Sequence, residues 1–155
     1  MLKEQGRCKG IGGNVPRLND PEKLFKTYVA LSSAINSGLV KTAHDCSEGG
    51  LGVAVAEMCI GGRIGANIDI DGTGDESLWA RLWGESLGRI VIAVSSENEQ
   101  QFLDLMSGNF TTYLGEVTES EFLNISDGYE TLISAEIQQM VNSWQGTLDM
   151  NGGEI

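Results

Sequence analysis

Histidine occurs once in this 155-residue chain, and only 10 basic residues stand against 22 acidic ones. Each scarcity excludes something. A lone histidine, His44, rules out a multi-histidine metal site within the chain. The net charge of −12 repels phosphate backbones and anionic bilayers at long range, so neither nucleic acid nor a membrane is an expected partner. The three cysteines, Cys8, Cys46 and Cys59, are odd in number and form no Cys-x-x-Cys pair. That argues against a disulfide framework or a thiolate zinc site and fits a reducing cytosol, so a cytoplasmic protein is expected. Long apolar runs are missing too, with no stretch of roughly 18 residues to span a bilayer. Met1 to Arg7 has no apolar run behind its charges and does not read as a secretory signal. His-Glu-x-x-His and P-loop motifs are absent.

Glycine, by contrast, is abundant at 21 residues, without period and mostly beside apolar segments. These glycines read as turns, helix ends and close backbone approaches. The length suits one domain, able to bury a core without disulfide or metal staples. Residues 1–19 read as an irregular lead-in, 20–146 as a single domain, and 147–155 as a flexible tail.

Asp20 and Pro21 open a helix whose apolar positions Leu24, Tyr28, Leu31 and Ile35 share a face, with Gly38 as the stop. Leu39 to Ala43 reads as a strand. Leu51 to Ile60 is apolar on nearly all sides; its length, its alanines and Gly61-Gly62 favour a buried helix. Strands are expected at Ala66–Ile70, Arg89–Val94, Tyr113–Val117, Phe122–Ile125 and Tyr129–Ile133. Capping patterns at Thr73/Glu76, Ser96/Glu99 and Ser134 predict three further helices. The last of these places Ile137, Met140, Val141 and Trp144 inward. The order lacks strict βαβ alternation, which points to an α+β domain of helices around a mixed sheet.

One segment concentrates polar functional groups: His44-Asp45-Cys46-Ser47-Glu48-Gly49-Gly50, between a strand and the buried helix. A helix start leaves unpaired N–H groups, and glycines let a ligand approach them, an arrangement that favours an anion. Asp45 and Glu48 repel a bare phosphate but suit one escorted by Mg²⁺. The plainer reading is that Asp45, Ser47 and Glu48 cap the helix. Both readings stay open on the residues alone. The same holds for the acidic run Asp69, Asp71, Asp75 and Glu76, a cation site or a solvated loop. It also holds for Glu85 to Arg89, a site wall with Arg89 toward an anion or a turn with Gly88 in an unusual conformation. Cys46 reads as a small filler, and Trp79, Trp83 and Trp144 as core or interface.

Ala43-His44-Asp45-Cys46-Ser47-Glu48-Gly49-Gly50-Leu51, followed by Ala56-Glu57-Met58, resembles a signature of the phosphoribosylformylglycinamidine synthases. Gly12 to Pro16, Gly84 to Arg89 and Leu114 to Thr118 resemble further family segments, in the right order, so the likeness runs from Gly12 to Trp144. The resemblance implies a fold like the C-terminal domain of aminoimidazole ribonucleotide synthetase, here the second copy at the end of a longer polypeptide. It implies a part in joining glutamine-derived ammonia to formylglycinamide ribonucleotide with ATP and Mg²⁺, ATP activating the amide oxygen as an iminophosphate. The implied partners are the remaining domains of the synthase and, in a multi-subunit type, glutaminase and small accessory subunits. The family's catalytic histidine and lysine lie in the nucleotide-binding half, so no catalytic residue is expected in this chain. Asp45, Ser47, Glu48, Gly49 and Gly50 carry over as residues lining a ligand or interdomain cleft. The alternatives are another ATP-dependent member of the superfamily, such as a selenophosphate synthetase or kinase relative, and a free-standing anion-binding or scaffold domain.

Overall fold

The computed structural model describes residues 20–74 and 77–146, so the expectations for 1–19, 147–155, Asp75 and Glu76 lie outside the described residues. The element order is α1 (Pro21–Asn36), β1 (Val40–Asp45), α2 (Gly50–Gly62), β2 (Gly65–Asp69), α3 (Leu78–Trp83), β3 (Ile90–Val94), α4 (Glu99–Leu105), β4 (Gly115–Thr118), β5 (Phe122–Asp127), β6 (Glu130–Glu136) and α5 (Ile137–Gly146). This is the expected α+β class. The strands divide between two sheets: a mixed four-stranded sheet in the order β4-β2-β5-β6, and a two-stranded ribbon of β1 and β3. Within the larger sheet β2 runs parallel to β5, while the β2–β4 and β5–β6 pairs are antiparallel.

Helix α1 starts as its sequence dictates. The Asp20 carboxylate accepts from the Lys23 N–H at 2.9 Å, and Pro21 fills the first turn, where no N–H is needed. Its buried face differs from the expected one. Thr27, Leu31 and Ala34 face inward, while Tyr28 and Ile35 are exposed with Phe25 and Val29. Thr27 earns its interior place by hydrogen bonding: its hydroxyl donates to the Lys23 carbonyl at 2.9 Å and accepts from the Phe110 N–H at 3.3 Å.

Helix α2 is apolar around its circumference because it is enclosed on several sides. It packs on α3, α5 and the ribbon, with Leu51, Ala54, Val55 and Cys59 buried. The glycine pair expected to end it lies within its last turn, and Arg63 closes it in a left-handed conformation at φ 51°. The sheet adds Ala66, Ile70, Leu123 and Ile125, and α5 adds Ile137 and Val141. Met140 is partly buried as expected, but Trp144 is 56% exposed. A second, smaller core joins α1, α4 and the ribbon through Leu31, Ala34, Leu39, Phe102 and Met106.

Two of the expected caps shifted, by four and by two positions, and the third is not a cap. Ser77 caps α3, its hydroxyl accepting from Ala80 N–H at 3.4 Å, whereas the Thr73 hydroxyl turns back to the Ile70 carbonyl at 2.7 Å. Asn98 stands at the start of α4 in place of Ser96. Ser134 belongs to β6 and bonds across to Asn124, so α5 begins directly from the strand.

Candidate functional site

Strand β1 continues two residues beyond its expected end, so His44 and Asp45 are strand residues and the turn itself is Cys46 to Gly49. Antiparallel pairing sets Asp45 opposite Ile90 and His44 opposite Val91. That register brings the turn against the corner from Gly84 to Arg89. The ladder runs one bond further, with Cys46 N–H donating to the Arg89 carbonyl at 2.9 Å.

Two consecutive glycines complete the turn in left-handed conformations, Gly49 at φ 78° and Gly50 at φ 63°. A Cβ on Gly50 would lie 2.7 Å from the Trp83 carbonyl carbon and 2.9 Å from the Leu82 and Gly84 oxygens. A Cβ on Gly52 would lie 2.6 Å from the Trp83 ring. These glycines let the start of α2 press against the end of α3, closer than any side chain permits. Gly49 N–H donates to the Glu85 carboxylate at 3.1 Å, tying the turn to the corner from the other side. No side chain caps α2. The capping role that Asp45, Ser47 and Glu48 were expected to fill as one alternative is therefore not exercised.

All three of those side chains are exposed, and among the described residues Ser47 and Glu48 make no hydrogen bond or ion pair. Asp45 has only a distant approach, 3.9 Å, to His44 Nδ1. The turn thus presents two carboxylates and a hydroxyl on a backbone fixed at Cys46 and Gly49. Among the described residues no three His, Cys, Asp or Glu side chains converge to hold a metal ion. A Mg²⁺ ion here would take most of its oxygens from phosphates or from other parts of a larger assembly.

The structure also joins residues that the sequence left apart. His44 Nε2 lies 3.1 Å from the Glu57 carboxylate, and Nδ1 lies 2.7 Å from the Asp45 carbonyl. A neutral imidazole donates to one of these oxygens at a time; the protonated ring donates to both. With a proton on Nε2, His44 pins the end of β1 to the second turn of α2. The only sequence sign of this was the recurrence of Glu57 in the same motif as His44.

At the corner, Arg89 does not reach outward to an anion. Its guanidinium donates to the Gly84 carbonyl at 3.2 Å and to the Arg81 carbonyl at 2.9 Å, satisfying the end of α3. Gly88 adopts φ 84°, the unusual turn conformation. Arg81 in turn grips Asp127 with two hydrogen bonds, 2.9 and 2.6 Å, and the Ile70 carbonyl with a third at 3.0 Å. The hydrogen bond to Asp127 raises the Arg81 pKa, and the same bond holds the Asp127 carboxyl below its ordinary range. This pin locks α3 to the far end of the sheet. Burial raises the thiol pKa of Cys46, with Arg89 partly opposing, and of Cys59, so both are inert fillers.

Among the described residues of the acidic run, Asp69 and Asp71 do not gather into a cation site. Asp69 Oδ1 accepts from the N–H groups of Asp71 and Gly128 at 2.9 and 3.0 Å, a loop-stapling role. Trp79 is 72% exposed and Trp83 partly so, which places neither in the core.

Residues 2–127 match the family described as AIR synthase related protein, C-terminal domain. The chain belongs to this family. Among solved structures it is similar to Thermotoga maritima PurL complexed with ATP, at 22% identity and a TM-score of 0.66, over 75% of this chain and 21% of that one. It is likewise similar to phosphoribosylformylglycinamidine synthase II from Thermotoga maritima, at 22% identity, a TM-score of 0.68 and coverages of 81% and 22%. PurL complexed with FGAR matches at 22% identity with a TM-score of 0.69, over 80% and 22% of the two chains. These likenesses establish the shared fold. The chain spans about a fifth of the length of the structures it matches. Among the described residues no helix is long and apolar enough to cross a membrane.

Proposed function

We propose that this chain serves as the C-terminal domain of a phosphoribosylformylglycinamidine synthase, contributing the turn from Asp45 to Gly50 to a ligand or interdomain cleft. In this reading the whole enzyme is a cytoplasmic, ATP- and Mg²⁺-dependent ligase. It forms a C–N bond between ammonia and formylglycinamide ribonucleotide, and the chain's partners are the other synthase domains, with glutaminase and small subunits in a multi-subunit type. The observation that carries the reading is the turn itself. Its exposed Asp45, Ser47 and Glu48 stay free of intramolecular hydrogen bonds among the described residues, while the backbone beneath them is held by Arg89 and Glu85. A rigid support beneath exposed polar side chains lowers the ordering cost of binding a ligand there. Solved structures of the matching fold are complexes with ATP, ADP, AMPPCP and FGAR, which supports a nucleotide or ribonucleotide as that ligand.

Calorimetric titration with Mg-ATP, Mg-ADP and formylglycinamide ribonucleotide tests this, on the 155-residue chain and on the assembled enzyme that carries it. Asp45→Ala and Ser47→Ala remove exposed groups without disturbing the fold. The expected result is loss of affinity of about tenfold for at least one ligand in the assembled enzyme, the scale of one or two charge-assisted hydrogen bonds. Unchanged affinity for all three ligands in both variants would remove the turn from the site.

A further inference from the structure

Helix α1 carries more apolar surface than its core uses. Thr27, Leu31 and Ala34 face inward. Turned away from them, Phe25 is 68% exposed, Val29 51%, Ile35 47% and Tyr28 41%. Phe25 and Val29 stand four residues apart, as do Leu24 and Tyr28, so these side chains form adjacent rows on one side of the helix. The patch crosses to a second element. A Cβ on Gly88 would lie 2.8 Å from Leu24 Cδ1 and 3.4 Å from the Tyr28 hydroxyl oxygen, so the corner from Gly84 to Arg89 packs directly on α1. Leu87, the residue before Gly88, is 65% exposed and extends the apolar surface. The same corner holds the candidate turn, through Glu85 and Gly49. Charge follows the same boundary. From Lys23 to His44 the chain has no aspartate or glutamate, against 22 in the whole sequence. Lys26 is exposed next to Phe25.

Contiguous apolar surface that spans two elements marks a place where something docks. Area, charge and length decide the occupant. The five side chains bare on the order of 400 Å². A stable dimer of separate chains needs about 800 Å² from each partner. Domains of one chain meet over about 600–1,500 Å² in total, half of it from each side. The patch fits the second case. A second copy would also bring a further net charge of −12 against the first. The chain spans about a fifth of the structures whose fold it shares, so a synthase of that length supplies the neighbours. We propose that the outer face of α1, together with Leu87, seats a neighbouring domain of the same enzyme, one that presents an apolar surface rimmed by carboxylates toward Lys26. This rests on the reading of the chain as a synthase domain and adds where the rest of the enzyme sits. A domain seated there lies against the corner that supports the turn at 45–50, and so sets one edge of the cleft.

Thiol labelling tests the seat. Phe25→Cys and Val29→Cys each place a thiol on the patch, and labelling is followed by peptide mass spectrometry in the isolated 155-residue chain and in the assembled enzyme. Both thiols should label promptly in the isolated chain. In the assembled enzyme both should slow about tenfold or more, since a covered thiol reacts only through opening. Phe25→Asp should leave the urea midpoint of the isolated chain at its parental value and lower the thermal midpoint of the assembled enzyme. Labelling of both thiols at the isolated-chain rate, in an enzyme that still joins ammonia to formylglycinamide ribonucleotide, overturns the seat and leaves the synthase reading standing. If the polypeptide carrying this chain has no such turnover, the synthase reading falls and the seat with it. Concentration-dependent dimers of the isolated chain in sedimentation, abolished by Phe25→Asp, would give the face to a second copy and overturn the proposal. So would a fall in the isolated chain's urea midpoint with Phe25→Asp, which would make Phe25 an internal packing residue.

Discussion

Replacing Gly50 by alanine asks two things of the chain at once. The residue must hold φ 63°, a left-handed conformation that costs an L-residue about 1–2 kcal/mol. The new methyl must also find room 2.7 Å from the Trp83 carbonyl carbon and 2.9 Å from two carbonyl oxygens, all backbone atoms of α3 and its end that cannot rotate away. Overpacking of this kind costs a further ~1–3 kcal/mol. The expected total of about 2–5 kcal/mol is a large share of the ~5–15 kcal/mol available to a domain. Gly38 supplies the control. It has φ 72° but no atom within 4 Å of its virtual Cβ, so Gly38→Ala should lose only the conformational part. Urea denaturation of the two variants measures both losses directly, with the slope of the transition reporting any change in the unfolded ensemble. Equal losses at Gly38 and Gly50 would refute the claim that close helix approach, rather than backbone conformation, fixes glycine at the start of α2.

Other outcomes follow from the same geometry. Because Arg81 holds the Asp127 carboxyl below its ordinary range, that pair contributes stability above the unfolded-state pKa and loses it as pH falls through the folded one. Asp127→Asn should therefore lower the urea midpoint at pH 7 and flatten its decline between about pH 5 and pH 2; a parental pH profile in that variant would sink the assignment. Ile125→Ala, at a side chain 1% exposed, should cost about 2–5 kcal/mol in the same assay. Cys46 and Cys59 should resist thiol reagents in the folded chain and react on unfolding, since both are buried with raised pKa values; prompt labelling of either under native conditions would contradict their placement.

The sequence carried the elements well and their surroundings less so. Asp20-Pro21 fixed the start of α1 because capping is a local event, settled within four residues. The inward face of α1 was not local. Leu24, Tyr28 and Ile35 satisfy a helical stripe, yet Thr27 takes the interior because α4 and its following loop offer it Phe110 N–H as a donor. Caps at Ser96 and Ser134 failed for a related reason: the capping pattern is satisfied by many serines, and strand pairing of Ser134 with Asn124 outcompeted it. For the candidate site, the cluster at 44–50 was visible because polar groups stood between two apolar segments. What supports it was not. Glu85 reaches Gly49 from 36 positions away, and Glu57 reaches His44 across a helix, contacts that no spacing rule encodes.

The ribbon of β1 and β3 belongs to both hydrophobic cores. Val91 faces the larger one, while Val40, Ile92 and Val94 pack against the smaller. Two strands alone are marginal in water, so the ribbon persists only while at least one flank holds it. The lesser flank, built on five buried residues, is the natural place for opening to begin. Loss of α1 and α4 would then bare Ile92 and Val94 while leaving the larger core intact, a partly open species whose amides exchange before those of α2 and the sheet. The same ribbon carries His44 and Asp45 on one strand and pairs them with the start of the other. Order at the candidate turn thus rests on the larger core, which holds Cys46, Leu51 and Val91 even when the smaller one opens.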